Sequence, residues 1–471
     1  MEIERSVSLL QYMEDEGLVP SGKEEIRRRN VIVKLKQIVF VWAKKIAYEH
    51  RLPKSCIRAA SATIITYGSY GLGVHNHESD VDALCVGPGF ATRAEDFFIV
   101  LRNMLENRPE VSEIYCVKDA KVPLIRFKFD GVSVDLPYAK IHGISVPEDV
   151  DVFNPFIFAN MDEISWRSLS GVRANRSIFQ LVPGIETYKS LLRCLKFWAR
   201  RRGIYCNLFG FFGGVHLAVL VAVICQRHPD TWLSALVSIF FKTFAFWAWP
   251  TPVILFHDIV PTHYLHTEKS LMPIQLPCSL NEYCRSYITT STFGRIREEF
   301  LRGHYMTKDV LSSNFDWKIL FEPFSYAYHY ARYFKIRLSS SDRNELRDWV
   351  GWVKCRLRSL LVKLEDLLGF CDPNPTEYVD ATLQAPNTVF FWGLKISRSH
   401  KIDIDAIKKE FVKNINSGSE RALGKIDLSV VKVSELHDMN PERTEACRWV
   451  SDGNGQRIPV ASNYMAQEWR W

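Results

Sequence analysis

The most constraining feature of the sequence is the turn Gly68-Ser69, which is separated by ten residues from Asp80, the first aspartate of an Asp-x-Asp motif. Charged and apolar residues alternate around Asp80 and Asp82, which predicts a β-strand whose one face carries both carboxylates side by side. Two adjacent carboxylates are costly unless a cation lies between them. The motif therefore predicts a divalent metal site, for which Mg²⁺ fits best.

The Gly-Ser turn predicts how a substrate is held near this metal. Backbone N–H groups at a tight turn, and the N-terminus of a helix after it, form an anion site suited to a triphosphate. Together the two features specify phosphoryl or nucleotidyl transfer. An isolated Asp-x-Asp is more often a solvated edge strand, but the spacing from the turn and the apolar surroundings favour the functional interpretation.

A predicted β-hairpin supplies a candidate for a third carboxylate. The run Val122–Phe129 alternates, Asp130-Gly131 forms a turn, and the returning strand reaches Asp135. An inward-facing Asp135 beside the first two aspartates would complete a two-metal site. The hairpin alone leaves open the alternative that Asp135 caps a strand end before Pro137.

Composition sets broad limits on the kind of protein. The chain has 471 residues, enough for about three domains, and its formal charge of +7 permits a polyanion partner without demonstrating one. Eleven cysteines without a Cys-x-x-Cys pair favour reduced thiols inside the cell. The apolar run Leu208–Cys225 raises the question of a membrane span, but its glycines and His216 favour a helix buried in a core.

Hydrophobic periodicity predicts helices over residues 1–50 and 94–107, and a helical region with proline-rich turns from Leu217 to about Phe321. Beyond it, strands over 328–338 and 387–396 and a long helix over 342–368 predict a third, sheet-and-helix domain. A helix from Tyr188 carries Lys196 on a basic face that leads to Tyr205, and a nucleotide phosphate and base could use this combination of positive charge and a tyrosine. Seen alone, such a face is more often a solvated helix end.

From about residue 30 to about residue 395, the chain resembles the eukaryotic nuclear-type poly(A) polymerases, and within that family the plant forms most closely. The motifs that carry the resemblance follow one another in order: Gly68-Ser69-Tyr70, Leu72-Gly73-Val74-His75, Ser79-Asp80-Val81-Asp82-Ala83-Leu84-Cys85-Val86-Gly87-Pro88, Leu191 to Ala199, Gly210-Phe211-Phe212-Gly213-Gly214-Val215, Trp249-Pro250-x-Pro252-Val253 and Leu271-Met272-Pro273-Ile274. So many motifs in order are far more specific than any one of them.

The resemblance implies an α+β protein of three domains. The first, residues 1–165, would be a polymerase-β-like nucleotidyltransferase domain with N-terminal helices. The second, residues 166–321, would be a helical central domain, and residues 322–471 would form an RNA-binding domain similar to an RNA-recognition fold, with a C-terminal tail. ATP and the RNA 3′ end would meet in the cleft between them.

The implied activity is template-independent addition of AMP from ATP to RNA 3′ ends, as in mRNA polyadenylation, with two Mg²⁺ or Mn²⁺ ions. Asp80, Asp82 and Asp135 match the metal-binding catalytic triad of the family. One ion, held by all three, would acidify the RNA 3′-hydroxyl, and the other would neutralise the triphosphate. The residues that match the family's nucleotide contacts are Tyr67, Gly68, Ser69, Lys196, Tyr205, Asn207, Gly214 and Val215.

The sequence departs from the family pattern at three places near these motifs. Gly71 stands where the family usually has arginine, and Ser170 replaces an asparagine. Arg176-Ser177 replaces an acidic pair. The Ser170 hydroxyl can donate one hydrogen bond, whereas an asparagine amide can donate two. The departures therefore bear on catalytic efficiency and nucleotide choice, while all three aspartates of the triad are present.

Two alternatives to poly(A) synthesis are carried forward. The first is a nucleotidyltransferase with another nucleotide or acceptor, such as a uridylyltransferase. The second is a weakly active or inactive copy that binds RNA. In all cases we expect a monomer without a membrane segment, and the family implies mRNA 3′-end processing factors as partners and the nucleus as location. A cytoplasmic form is also plausible, because the long basic tail of longer members is absent.

Overall fold

The computed structural model of the protein describes residues 1–158, 161–255, 270–279, 282–395, 403–416, 424–436, 449–451 and 457–459. The helices are α1 (Glu2–Asp15), α2 (Gly22–Glu49), α3 (Lys54–Ala59), α4 (Gly68–Gly71), α5 (Arg102–Glu106), α6 (Pro155–Phe158), α7 (Glu163–Leu181), α8 (Ile185–Arg201), α9 (Gly214–Arg227), α10 (Leu233–Ala245), α11 (Thr290–Thr307), α12 (Tyr326–His329), α13 (Arg343–Lys354), α14 (Leu357–Leu368) and α15 (Ile404–Asn416). The strands are β1 (Thr63–Tyr67), β2 (Val81–Gly87), β3 (Val111–Val117), β4 (Leu124–Phe129), β5 (Val132–Lys140), β6 (Arg332–Ser339), β7 (Cys371–Asp372), β8 (Asn387–Leu394), β9 (Lys425–Lys432), β10 (Trp449–Ser451) and β11 (Arg457–Pro459).

The first domain is built on a five-stranded sheet in the order β1-β2-β5-β4-β3. Strands β2 and β5 are parallel and the other neighbours are antiparallel. The apolar stripe of α2, including Leu35 and Trp42, packs on one face, and α7 covers the other. The predicted hairpin is confirmed, because Asp130 and Gly131 take the positive φ values (48° and 72°) of a tight hairpin turn. The predicted helix over 94–107 is π-helical from Arg93 to Leu101 and continues as α5.

Helix α1 packs on the central domain rather than on the first-domain sheet with which the sequence grouped it. Its apolar stripe buries Leu9 and Met13 in the core that α8 to α11 share, and Ser6 Oγ donates to Ser234 Oγ of α10 across 3.1 Å. The three- and four-residue spacing of apolar residues predicts a helix but does not say which domain its apolar stripe covers. The domain boundaries at residues 165 and 321 stay predictions.

The central domain surrounds an aromatic cluster. Trp198 of α8 stacks on Phe300 of α11 with ring centroids 5.9 Å apart and meets Phe241 of α10 edge-on at 4.9 Å. Helix α9, which contains most of the apolar run noted in the sequence, is buried in this core as expected. In the described part of the chain, no helix combines the length and hydropathy that a bilayer crossing requires.

The C-terminal domain has the strand and helix order β-α-β-β-α-β, with two helices in the first crossover, and its sheet order is β7-β8-β6-β9. All neighbours in this sheet are antiparallel, as in ferredoxin-like domains. The predicted single helix over 342–368 is wrong: it is divided into α13 and α14 at Cys355 and Arg356, where the Arg356 guanidinium folds back 3.5 Å from the Trp352 ring centroid. The strand predicted from 328 begins at Arg332, because α12 precedes it; Ile396, at the end of the other predicted strand, lies outside the described residues.

One face of the C-terminal sheet carries aromatic side chains that are covered by protein. Tyr333 and Phe391 lie beneath Tyr326, Tyr330 and Tyr378, which belong to the segments before β6 and after β7. RNA-recognition domains stack bases on exposed aromatic residues of such a sheet. In this protein the aromatic side chains of that face are therefore not available to stack on RNA bases.

Candidate active site

The sheet of the first domain brings two of the predicted aspartates directly together. Asp82 of β2 and Asp135 of β5 are register partners on neighbouring parallel strands, and Tyr67 pairs with Asp82 from the other side. Asp80 lies one residue before β2, so it approaches the pair from the loop and not from the strand itself. The side chains of Asp82 and Asp135 are both buried.

The electrostatics of this group centre on Asp82. Burial, followed by the charges of Asp135 and Asp80, raises the pKa of the Asp82 carboxyl well above its ordinary value, while Arg126 and Lys196 act in the opposite direction. Its Oδ2 atom is buried and has no hydrogen-bond partner. This carboxylate oxygen is buried, accepts no hydrogen bond and lies close to two further carboxylates. Such a group of oxygen atoms provides the ligands that a hard divalent cation requires.

The third carboxylate is engaged elsewhere. Arg126 of β4 lies opposite Asp135 in the hairpin register and donates from Nε to Oδ1 and from Nη2 to Oδ2, both at 2.5 Å. Among the residues that the structure describes, no three His, Cys, Asp or Glu side chains come together as ready ligands of one ion. The chemistry of the aspartates therefore fits a divalent cation. To bind one, Asp135 must either share its oxygen atoms between Arg126 and the cation or break its hydrogen bonds to Arg126.

The Gly-Ser turn lies against the same aspartates. Gly68 has φ +61°, and a Cβ at this position would lie 2.0 Å from Asp82 Oδ2. Asn175 of α7 donates from Nδ2 to the Gly68 carbonyl across 3.1 Å and fixes the turn from behind. Ser69 is buried in the single turn of α4, so the predicted phosphate loop directly adjoins the carboxylates.

The remaining predicted nucleotide contacts come from the central domain. Lys196 of α8 is buried, and its positive charge opposes the rise in the pKa of Asp82. Tyr205 forms an isolated parallel bridge with Phe212, and Asn207 donates from Nδ2 to the Arg285 carbonyl across 3.4 Å while its Oδ1 has no partner. Gly214 and Val215 are the first two residues of α9. The last four predicted residues thus share one loop and helix start.

A buried histidine holds this helix start. The backbone N–H of Gly213 donates to Nδ1 of His216 across 3.0 Å. Burial lowers the pKa of His216 to about 4, so the ring is neutral near pH 7 and its Nδ1 accepts. In the sequence, His216 stands out only as an interruption of an apolar run.

Sequence analysis also missed three side chains that support the catalytic loops from behind. Arg28 of α2 is buried and donates from Nη2 to the carbonyls of Asn76, His77 and Ser79, at 3.2, 2.7 and 3.3 Å, just before Asp80. The others are Asn175, described above, and Arg193, which donates to the Gly73 carbonyl across 2.7 Å. A signal existed for Arg28, because it lies three residues before Val31 on the apolar stripe of α2.

The three departures from the family pattern have local partners. The Ser170 hydroxyl donates back to the Arg167 carbonyl across 2.6 Å. Arg176 donates to the Val150 carbonyl at 2.6 Å and to Asp149 at 3.2 Å, so it ties α7 to the loop after β5. A Cβ on Gly71 would lie 2.9 Å from the Thr66 carbonyl oxygen, so a larger residue there requires a local shift.

Two family models cover most of the chain. The poly(A) polymerase nucleotidyltransferase domain matches residues 1–182, and the poly(A) polymerase central domain matches residues 187–323. Nuclear poly(A) polymerase 3 of Arabidopsis thaliana is 53% identical over 98% of this chain and 93% of its own length. The chain belongs to the poly(A) polymerase family. As a member it is a polynucleotide adenylyltransferase, which extends RNA 3′ ends without a template.

Further relatives agree with this membership. Nuclear poly(A) polymerase 2 of Arabidopsis thaliana is 37% identical over 88% of this chain, which spans about half (54%) of that longer protein. Among solved structures, the Cid1 poly(U) polymerase with MgGTP bound has a TM-score of 0.50 and covers 68% of this chain and 99% of its own, at 15% identity. At that identity the likeness concerns the fold alone.

Proposed function

We propose that this poly(A) polymerase transfers AMP from ATP to the 3′-hydroxyl of RNA, with Asp80, Asp82 and Asp135 as its catalytic and metal-binding residues. The observation that carries the proposal is the register pairing of Asp82 with Asp135, together with the buried, unpartnered Oδ2 of Asp82. Mg²⁺ or Mn²⁺ ions held there would acidify the attacking hydroxyl and neutralise the triphosphate. The new bond forms between the 3′-oxygen and the α-phosphorus, and pyrophosphate leaves.

The phosphate-binding role falls to the turn and to one lysine. Gly68 and Ser69 present backbone at close range to Asp82, where a side chain at residue 68 would block the approach of a phosphate. Tyr67 pairs with Asp82 on β1 and closes the buried side of this site. Lys196, which is buried and whose charge acts on Asp82, supplies positive charge for the triphosphate.

The loop at the start of α9 is suited to the nucleoside. Asn207 Oδ1 is a free buried acceptor, which matches an exocyclic amine such as that of adenine and not a carbonyl. The Tyr205 ring lies beside it, with the Arg200 guanidinium 5.3 Å from the ring centroid. Gly214 and Val215, at the N-terminus of α9, offer backbone and a small side chain against the nucleotide.

The substrate RNA is taken to be the 3′ end of mRNA in the nucleus, and 3′-end processing factors would supply its selection. Support comes from the family and from relatives that carry the name nuclear poly(A) polymerase. A cytoplasmic location has no support among these relatives. The proposed enzyme acts as a monomer, because the three carboxylates and the nucleotide loop all come from one chain.

Primer extension tests the residue roles. The purified chain, an oligo(A) RNA with a free 3′-hydroxyl, ATP and Mg²⁺ should give a ladder of products. Asp82→Ala and Asp135→Ala should lower AMP incorporation roughly a thousandfold, because each removes charge stabilisation of several kcal/mol. Asp119→Ala, at an exposed carboxylate of the same domain, is the matched control and should retain activity. Wild-type rates in either triad variant would contradict the assignment.

A further inference from the structure

Arg126 has an unusual position for a residue that the catalytic chemistry does not use. Its guanidinium binds both oxygens of Asp135 at 2.5 Å, in the parallel fork geometry that makes Arg–carboxylate pairs strong. Both side chains are largely buried, with exposed fractions of 18% for Arg126 and 11% for Asp135. Solvent screens such a pair only weakly. Arg126 therefore competes effectively with other cations for the Asp135 carboxylate.

The pairing is one-sided within the group of aspartates. Asp135 receives two charge-assisted hydrogen bonds, while Oδ2 of Asp82, its register partner, receives none. In the described residues the acidic side chains do not form a ready three-ligand cluster. Arg126 therefore compensates the charge of one carboxylate of the group and occupies both of its oxygens.

The structure also offers the guanidinium a second contact outside the group. Arg126 Nη1 donates weakly to the Tyr115 hydroxyl of β3 across 3.4 Å, and its central carbon lies 6.0 Å from the Tyr115 ring centroid. Tyr115 is 42% exposed and lies on the edge strand β3, with β4 between it and Asp135. An arginine released from Asp135 can stay on this ring with its charge near solvent.

We propose that Arg126 is a positioning residue that holds Asp135 until a divalent cation displaces it. The proposal rests on the proposed function, since it takes the three aspartates to be the metal site. Cation binding and release of Arg126 are then one coupled event, and the affinity for the cation is set by the competition. The arginine keeps the Asp135 side chain in place without metal, at the cost of weaker metal binding.

The test measures Mn²⁺ binding to the full chain, without RNA or nucleotide, from the EPR signal of free Mn²⁺. Arg126→Gln removes the competing charge and should bind Mn²⁺ about tenfold more tightly. Lys128→Gln is the matched control: Lys128 lies on the same strand and face but pairs with Glu113 at 2.7 Å, so its affinity should stay within about twofold of wild type. Equal or weaker binding by Arg126→Gln would overturn the proposal, as would equal tightening by Lys128→Gln.

Thermal unfolding gives a second readout. In EDTA, Arg126→Gln should melt at a lower temperature than wild type, and saturating Mn²⁺ should raise its melting temperature by more than it raises that of wild type. If Arg126→Gln does not fold, Arg126→Lys keeps the charge without the fork and should show intermediate affinity; wild-type affinity in that variant would overturn the competition. Failure of wild type itself to bind Mn²⁺, or binding that survives Asp82→Asn, would count against the proposed function and not against Arg126 alone.

Discussion

Gly68 is the residue at which backbone conformation and active-site chemistry coincide. Its φ of +61° is unfavourable for any residue with a side chain, and a Cβ would meet Asp82 Oδ2 at 2.0 Å. The turn therefore needs glycine for two separate reasons. Only the second reason is functional, because it keeps backbone within reach of the carboxylate group.

A comparison of Gly68→Ala with Gly17→Ala separates the cost of backbone strain from the cost of the close contact with Asp82. Gly17 has φ +68° with nothing within 4 Å of its added Cβ, so Gly17→Ala reports backbone strain alone, about 1 kcal/mol. Gly68→Ala should cost roughly 2–3 kcal/mol more and lower kcat at least about a hundredfold, because Asp82 must move. Denaturant unfolding and primer extension measure both effects. Normal kcat in Gly68→Ala would contradict the close approach.

At the scale of elements, the start of α9 depends on a neutral histidine. The pKa of His216 is lowered by burial from an ordinary value of 6.5 to about 4, so the folded protein binds its proton more weakly than the unfolded chain does. The stability that neutral His216 contributes is therefore complete above about pH 6.5 and is lost as pH falls towards 4. The loss is on the order of 3 kcal/mol.

We expect His216→Asn to flatten this pH dependence, because the asparagine Oδ1 can accept from the Gly213 N–H without titrating. Urea unfolding at pH values between 7 and 4 should show a smaller loss of stability for the variant than for wild type. His77→Asn, at an exposed histidine, is the control and should follow wild type. Parallel curves for His216→Asn and wild type would show that the buried ring does not control the acid response.

Regular periodicity determined how well individual elements were predicted. The hairpin at Asp130-Gly131 and the register that sets Asp135 inward follow from alternation and turn chemistry, which are local. The pairing of Arg126 with Asp135 also follows from counting residues outward from the same turn, although it was not among the predictions. Arg28 and Asn175 could not be found in this way, because their partners are backbone carbonyls 48 and 107 residues distant.

Two features of the fold depend on tertiary packing and could not be predicted from the sequence. Helix α1 covers the central domain, and the aromatic face of the C-terminal sheet is buried under its own flanking segments. Both outcomes depend on contacts between segments that are far apart in the chain. Hydrophobic periodicity and composition do not predict such contacts.

At the scale of the whole molecule, a buried ionic network joins the central and C-terminal domains. Arg295 of α11 donates to Asp372 of β7 at 3.1 Å and to Glu299 at 3.2 Å, and Arg202, which follows the last residue of α8, donates to Glu299 at 2.7 Å. Tyr330 adds a hydrogen bond to Asp372 at 2.7 Å. Burial raises the pKa of Asp372, and the charge of Arg295 opposes that rise.

Arg295→Met should destabilise the protein by about 3–5 kcal/mol, because it leaves Asp372 and Glu299 buried with less compensation. Arg297→Met, on an exposed face of the same helix, should change stability by no more than about 0.5 kcal/mol. Adding Asp372→Asn to Arg295→Met should recover part of the loss. Chemical denaturation measures all three, and a loss below about 1 kcal/mol in Arg295→Met would mean that the network does not hold the domains together.

The most direct test of AMP transfer by this protein is a side-by-side extension of oligo(A) RNA by the wild-type chain with each of the four nucleoside triphosphates. We expect a ladder with ATP, since Asn207 Oδ1 offers an acceptor to the adenine amine, and little or no product with UTP. A ladder with UTP instead would make the chain a nucleotidyltransferase of another specificity. No product with any nucleotide, from folded protein that binds RNA, would contradict catalysis and favour an RNA-binding role.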